Sequence, residues 1–150
     1  MKDNLHLAID SFSRFVWAVS SKTKTFIDFV NLINKVMAVE CPGLIIADNY
    51  PAIRSKQFQE FLARHGIRMM FVAPNHPDTN GLVERANQTM VNRLRCKRME
   101  RQDIAWSTQV KQCVNEYNHT IHSSTGYTPV YLLTGIDDER LFEGETLQYS

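Results

Sequence analysis

Apolar and polar positions change period along the chain, and each change marks an element. Residues 5–10 (Leu-His-Leu-Ala-Ile-Asp) and 15–20 (Phe-Val-Trp-Ala-Val-Ser) read as two strands. Their link, Ser11-Phe12-Ser13-Arg14, is short and polar enough for a hairpin. Thr23 or Thr25 offers a helix cap, and Phe26, Phe29, Val30, Ile33, Val36 and Met37 follow at helical spacing. Pro42-Gly43 stops that helix. The apolar run Leu44-Ile45-Ile46-Ala47, closed by Asp48, predicts a buried parallel strand. Ser55 opens a shorter helix with Phe58, Phe61 and Leu62 on its apolar face, and Gly66 suits the position after its end. Residues 67–72 predict another strand.

The segment 73–81, with two prolines, a glycine and two asparagines, predicts a loop. A long helix then runs from about Leu82 to near Glu100. Asp103 is placed to cap a further helix carrying Ile104, Trp106, Val110, Val114 and Tyr117. Residues 123–129 form a turn, and a short apolar segment reaches Gly135. The residues beyond Ile136 are acidic and predict a frayed tail. Strand, strand, helix, strand, helix, strand, helix, helix implies an α/β layered domain.

A length of 150 residues suits one domain. A formal net charge of +1 requires any nucleic-acid footprint to be local. Cys41, Cys96 and Cys113 are scattered and lack metal-finger spacing, which favours a reducing compartment. No export signal and no membrane-spanning run is evident. An intracellular chain, nuclear or cytoplasmic, with no membrane partner is therefore expected.

Candidate chemistry concentrates in two carboxylates. Asp48 closes a strand, and the C-terminal ends of strands are where open α/β sheets build sites. Glu84 opens the predicted long helix, and 35 residues lie between the two acids. Taken singly, each has an ordinary explanation: a turn or cap residue for Asp48, a helix N-terminal charge for Glu84.

Their surroundings make them specific. Asp48, Glu84 and the intervening loop His76-Pro77-Asp78-Thr79-Asn80-Gly81-Leu82-Val83-Glu84-Arg85 resemble the D,D-35-E core and HPQTNG-x-VER signature of retroviral and Ty3/gypsy-type retrotransposon integrases. Trp106, Tyr117-Asn118, His122, Thr125-Gly126, Thr128-Pro129 and Gly135 resemble the tail of the gypsy-type core. The resemblance covers roughly residues 5–135. It implies an RNase H-like mixed sheet with helices on both faces, in a core domain over residues 1–135 followed by a flexible tail at 136–150.

The same resemblance assigns Asp48 and Glu84 to the second and third catalytic acids, ligands for Mg²⁺ or Mn²⁺ in DNA strand transfer. The obvious first acid is Asp10. However, Asp10-Ser11-Phe12-Ser13-Arg14 resembles the family's D-x-F-S-(K/R) element, which lies at the turn after the strand that follows the first acid. Asp3 precedes Asp10 by only 7 residues, too few for a strand and a hairpin. On this reading the chain lacks the first central strand and the first acid, and Asp10 is the alternative. Metal binding is then expected to be weak or absent, and the two flanking sheet edges are left bare or pair with each other.

The resemblance also places Asn80, Asn87 and Gln88 near DNA. Beyond them, Arg93, Arg95, Lys97 and Arg98 form a basic run that could neutralise phosphates or simply face solvent. DNA is the implied partner, with a homodimer possible for this family. After Asp48 the family's Gly-containing turn is replaced by Asn49-Tyr50-Pro51, so the backbone beside the second acid is expected to be re-shaped. The competing expectation is an inactive, domesticated or truncated descendant that binds nucleic acid or protein without catalysis.

Overall fold

The structure is a computed structural model that describes residues 3–72 and 77–136, with the backbone alone for 77–80. Of the tail expected at 136–150, residues 137–150 lie outside the described residues, as do the loop residues 73–76. In chain order the elements are β1 (Asn4–Ile9), β2 (Val16–Ser21), α1 (Phe26–Met37), β3 (Leu44–Ala47), α2 (Pro51–Arg54), α3 (Lys56–Arg64), β4 (Arg68–Phe71), α4 (Pro77–Glu100), α5 (Trp106–Asn118) and α6 (Pro129–Thr134). The chain forms two compact units, Met1–Ala8 with Trp17–Thr89, and Ile9–Val16 with Met90–Ser150. Among the described residues no helix is long and apolar enough to cross a membrane.

The strands form two separate pairs, β1 with β2 and β3 with β4. Six residues separate β1 from β2, too few for a parallel crossover, so the pair is a hairpin. β3 and β4 are parallel, joined through α2 and α3, with Leu44 opposite Arg68 and Ala47 opposite Phe71. Among the described residues the two pairs do not join.

In the first unit Ile33, Ile53, Phe58, Phe61, Leu62 and Ile67 form the buried cluster, with Ile45, Ala47 and Met69 packed against it. These last three share one face of the β3–β4 pair. Ile46 and Met70 point the opposite way and are 45% and 57% exposed.

The helix ends follow side-chain chemistry. Asp28 reaches back from the first turn of α1 to accept the Thr25 N–H at 2.8 Å, closing a capping arrangement. Ser55 accepts the Phe58 N–H at the start of α3. Gly66, at φ +69°, takes the left-handed conformation just past its end. Thr128 caps α6, which Pro129 opens, so the short apolar segment is helical.

Two expected boundaries move. α4 begins at Pro77, not near Leu82, because proline at a helix's first position forfeits no hydrogen bond. Glu84 therefore lies two turns into α4, beyond the reach of the N-terminal dipole. Asp103 does not cap α5. Its carboxylate takes two hydrogen bonds from Arg101, at 2.9 and 2.8 Å, and Ala105 occupies the cap position.

In the second unit Val16, Met90, Leu94, Val110 and Cys113 are buried. A polar clasp ties β2 to α5 across 102 residues of sequence. Asn118 Oδ1 accepts the Val16 N–H and its Nδ2 donates to the Val16 carbonyl, both at 2.9 Å. The amide thereby stands in for a neighbouring strand. Gln109, also buried, closes the end of α4 by donating to the carbonyls of Lys97 and Arg101.

Replacing Asn118 with alanine leaves both Val16 backbone groups buried and unpaired. We expect a loss of about 2–4 kcal/mol, read from the urea unfolding midpoint, with the slope of the transition unchanged.

Candidate active site

Asp48 follows directly on β3, and its exposed position is set by a short backbone device. The Tyr50 N–H donates to the Asp48 carbonyl at 2.8 Å. Tyr50 then becomes the N-cap of α2, with Pro51 at its first position. Its carbonyl accepts the N–H groups of Ile53 and Arg54, each at 3.0 Å. Pro51 opens an additional helical turn that the apolar pattern did not foretell.

The Tyr50 ring is half-buried and lies 6.0 Å from the ring of Phe29. The ammonium of Lys24 sits over its other environment, 4.6 Å from the ring centroid. Lys24 itself is held from below. Thr23 Oγ1 and the Thr25 N–H, on either side of it, both donate to Asp28 Oδ2, at 2.7 and 2.8 Å. The Thr23 carbonyl accepts from Ser21 Oγ at 2.6 Å, and His6 Nε2 lies 3.2 Å from it. His6 and Asp28 are both buried. Burial alone would raise the Asp28 carboxyl, but hydrogen bonds from Thr25, Thr23 and Ser21, with the nearby His6, outweigh it and hold Asp28 below the ordinary 3.8.

Glu84 is exposed on α4 and belongs to the same compact unit as Asp48. Asn87 and Gln88 are exposed on the same side, three and four residues further on. The backbone of Asn80 lies one turn earlier in α4, and its side chain is outside the described residues. Two carboxylates are hard oxygen donors, and Mg²⁺ accepts one or two of them while keeping several waters. The donor chemistry therefore fits a hydrated Mg²⁺ or Mn²⁺. Among the described residues, no three of His, Cys, Asp and Glu are grouped to hold a metal ion.

Asp10 falls in the second unit. Its Oδ2 accepts the Ser13 N–H at 2.8 Å and the Ser13 hydroxyl at 2.7 Å, closing the β1–β2 turn. Arg14, at φ 67°, takes a left-handed conformation there and donates its N–H to the Asp10 carbonyl.

The basic run divides. Lys97 and Arg93 pair with Glu116 of α5, at 2.7 and 3.6 Å. The hydrogen bond to Glu116 holds the Lys97 ammonium above its ordinary range. Arg98 donates to the Ile104 carbonyl at 2.8 Å and to Gln109 Oε1 at 3.3 Å. Arg95 makes a long contact with Asn92, at 3.5 Å, on its own helix. His122 orders the turn after α5, accepting from Ser124 and donating its N–H to the Tyr127 carbonyl.

Known proteins resemble this chain in sequence and in fold. Residues 65–129 match the model of the integrase core domain. The Pro-Pol polyprotein of Simian foamy virus type 3 is 30% identical over 145 residues, which are 96% of this chain and 13% of that one. The structure of the simian T-cell lymphotropic virus intasome superimposes with a TM-score of 0.82 at 25% identity, over 88% of this chain and 48% of that one. The chain holds an integrase-core-like domain related to the retroviral and Ty3/gypsy-type integrases. Its RNase H-like fold is shared with the HTLV-2 integrase catalytic core domain in complex with magnesium, at a TM-score of 0.75 and 24% identity, over 85% and 82% of the two chains. The integrase core described here spans about an eighth of the foamy-virus polyprotein it matches.

Sequence reasoning did not single out Lys24, Tyr50 or Asp28 as contributors to this end of the integrase core. The capping pattern Thr25 to Asp28 was the available signal for the last.

Asp28 is lowered on folding, so its contribution is present above the unfolded value of 3.8 and is lost as pH falls through the folded value. We expect Asp28→Asn to lower stability at neutral pH and to flatten the loss between about pH 5 and 2, measured by urea midpoints across that range.

Proposed function

We propose that this integrase core acts on DNA by metal-dependent phosphodiester transfer as part of a longer protein, and that the chain by itself binds DNA with impaired catalysis. The observation that carries this reading is the placement of Asp48 at the end of β3 and Glu84 on α4, within one compact unit. Asp48 and Glu84 would hold Mg²⁺ or Mn²⁺ through their carboxylate oxygens. Such an ion supplies activation of the attacking oxygen and stabilisation of the leaving oxygen. Two carboxylates alone predict weak affinity. The commitment of Asp10 to its turn supports leaving it out of the metal site.

For DNA, the exposed Asn87 and Gln88 beside Glu84 suit phosphate or base-edge contacts, with Asn80 preceding them on the helix. Of the basic run, Arg95 is the best placed to meet a phosphate. Arg93, Lys97 and Arg98 serve first to hold α4 to the segment that follows it. An inactive nucleic-acid-binding descendant is the second reading, favoured by the engagement of the Asp10 carboxylate in its own turn.

The site is tested with Mn²⁺ titrated into isotopically labelled protein. Paramagnetic broadening should centre on the amides near Asp48 and Glu84 and be lost in Asp48→Asn. Slow Mn²⁺-dependent nicking of plasmid DNA should accompany it and disappear in Glu84→Gln. Broadening elsewhere, or nicking indifferent to Glu84→Gln, would overturn the assignment.

Glu116→Gln removes the carboxylate that neutralises Arg93 and Lys97. We expect DNA binding to tighten and its log–log salt dependence to steepen by about 1–2, followed by fluorescence anisotropy. An unchanged slope would place both residues outside the DNA interface.

A further inference from the structure

We propose that Lys24 is a phosphate-binding residue for DNA at the Asp48 end of β3, held in position by Tyr50 and by the buried network beneath its loop. The proposal rests on the DNA reading above and adds to it a residue that lies outside the basic run of α4.

A lysine in an exposed loop ordinarily samples many rotamers, and ordering its stem costs side-chain entropy. Lys24 is constrained at both ends. At its root, the neighbouring Thr23 and Thr25 are both fixed on the Asp28 carboxylate. The Thr23 carbonyl is further held by Ser21 Oγ and, at 3.3 Å, by the Asn4 amide. At its tip, the ammonium rests over the Tyr50 ring. That ring is itself set by Phe29 and by the backbone hydrogen bond from Tyr50 to Asp48. The cation is thereby stationed on the residue that hydrogen-bonds to the Asp48 backbone.

Among the described residues no carboxylate pairs with its charge. The ion pairs among the described residues are Arg93 and Lys97 with Glu116, and Arg101 with Asp103; Lys24 belongs to none. A ring face attracts the ammonium without taking up its N–H donors, so these remain available to an incoming oxygen. The chemistry matches a phosphate. An ammonium is a compact point charge, and DNA presents a row of singly charged phosphodiesters. The exposed Asp48 carboxylate would repel such a strand, and a fixed cation beside its turn offsets that repulsion.

The alternative is a surface cation–π contact that serves the fold alone. Salt dependence separates the two, because only a charge that meets phosphate changes the number of counterions released. The test is fluorescence anisotropy of a labelled double-stranded oligonucleotide with the purified chain, at a series of salt concentrations without divalent metal. Wild type is compared with Lys24→Gln, Lys24→Arg and Tyr50→Leu, each checked by a thermal melt.

Lys24→Gln should bind several-fold more weakly at low salt, and the log–log slope should shrink by about 0.9, the value of one phosphate contact. Lys24→Arg should restore both. Tyr50→Leu, which keeps the charge and removes its platform, should weaken binding while keeping the slope. A wild-type slope in Lys24→Gln would overturn the proposal, whether or not affinity fell. Failure of the wild-type chain to bind DNA at any salt would overturn the DNA reading and this proposal with it, a result distinct from binding that is indifferent to Lys24.

Discussion

The ring of Phe29 is the contact on which the candidate active site depends. It lies 5.0 Å from His6 of β1, 6.0 Å from Tyr50 beside Asp48 and 6.2 Å from Phe58 of α3. A single aromatic side chain of α1 thus meets a strand, the turn carrying Asp48 and the helix that returns the chain to β4. Offset and edge-on ring pairs are directional as well as apolar. They set the angle of α1 as well as its depth. The polar network around Asp28 completes the same job from the start of that helix, fixing where α1 begins relative to β1 and β2.

Elsewhere the fold relies on amide side chains used as substitutes for backbone. Asn118 pairs with both polar groups of Val16, and Gln109 satisfies carbonyls at the end of α4. Each is buried, so each hydrogen bond is made where water cannot replace it. Around them the basic residues of α4 split into two populations. Arg93, Lys97 and Arg98 answer to partners within the fold. Arg95 is left with a long contact on its own helix. A run of positive charge in one helix is therefore not one surface.

The turn after Asp48 shows how a departure from a family pattern is absorbed. A glycine would leave that turn flexible. Tyr50-Pro51 instead stiffens it, since proline fixes its own φ and pre-sets the first turn of α2. Tyr50 then supplies a ring that can carry a cation, which a glycine could not. The change beside the acid is compensated locally, and Asp48 still stands exposed at the end of β3.

Much of this was legible along the chain. Strand and helix periods placed β1 to β4 and α1, because side-chain alternation and the 3.6-residue repeat are local consequences of backbone geometry. The loop residues before Glu84 and the spacing from Asp48 pointed to an integrase core, and Ser55 and Gly66 marked the ends of α3. Helix boundaries at Pro77 and Trp106 were missed: proline opens a helix without forfeiting a hydrogen bond, and Asp103 went to Arg101. What only the tertiary structure decided is which side chains are already spoken for. Asp10 closes a turn, Glu116 claims Arg93 and Lys97, and Lys24 is carried to Tyr50 from 26 residues away. Charge, donors and acceptors are properties of the sequence, but their availability is a property of distance in space. For Lys24 and Tyr50 the distance depends on the packing of Phe29 and the hydrogen bonds of Asp28, and composition does not encode it.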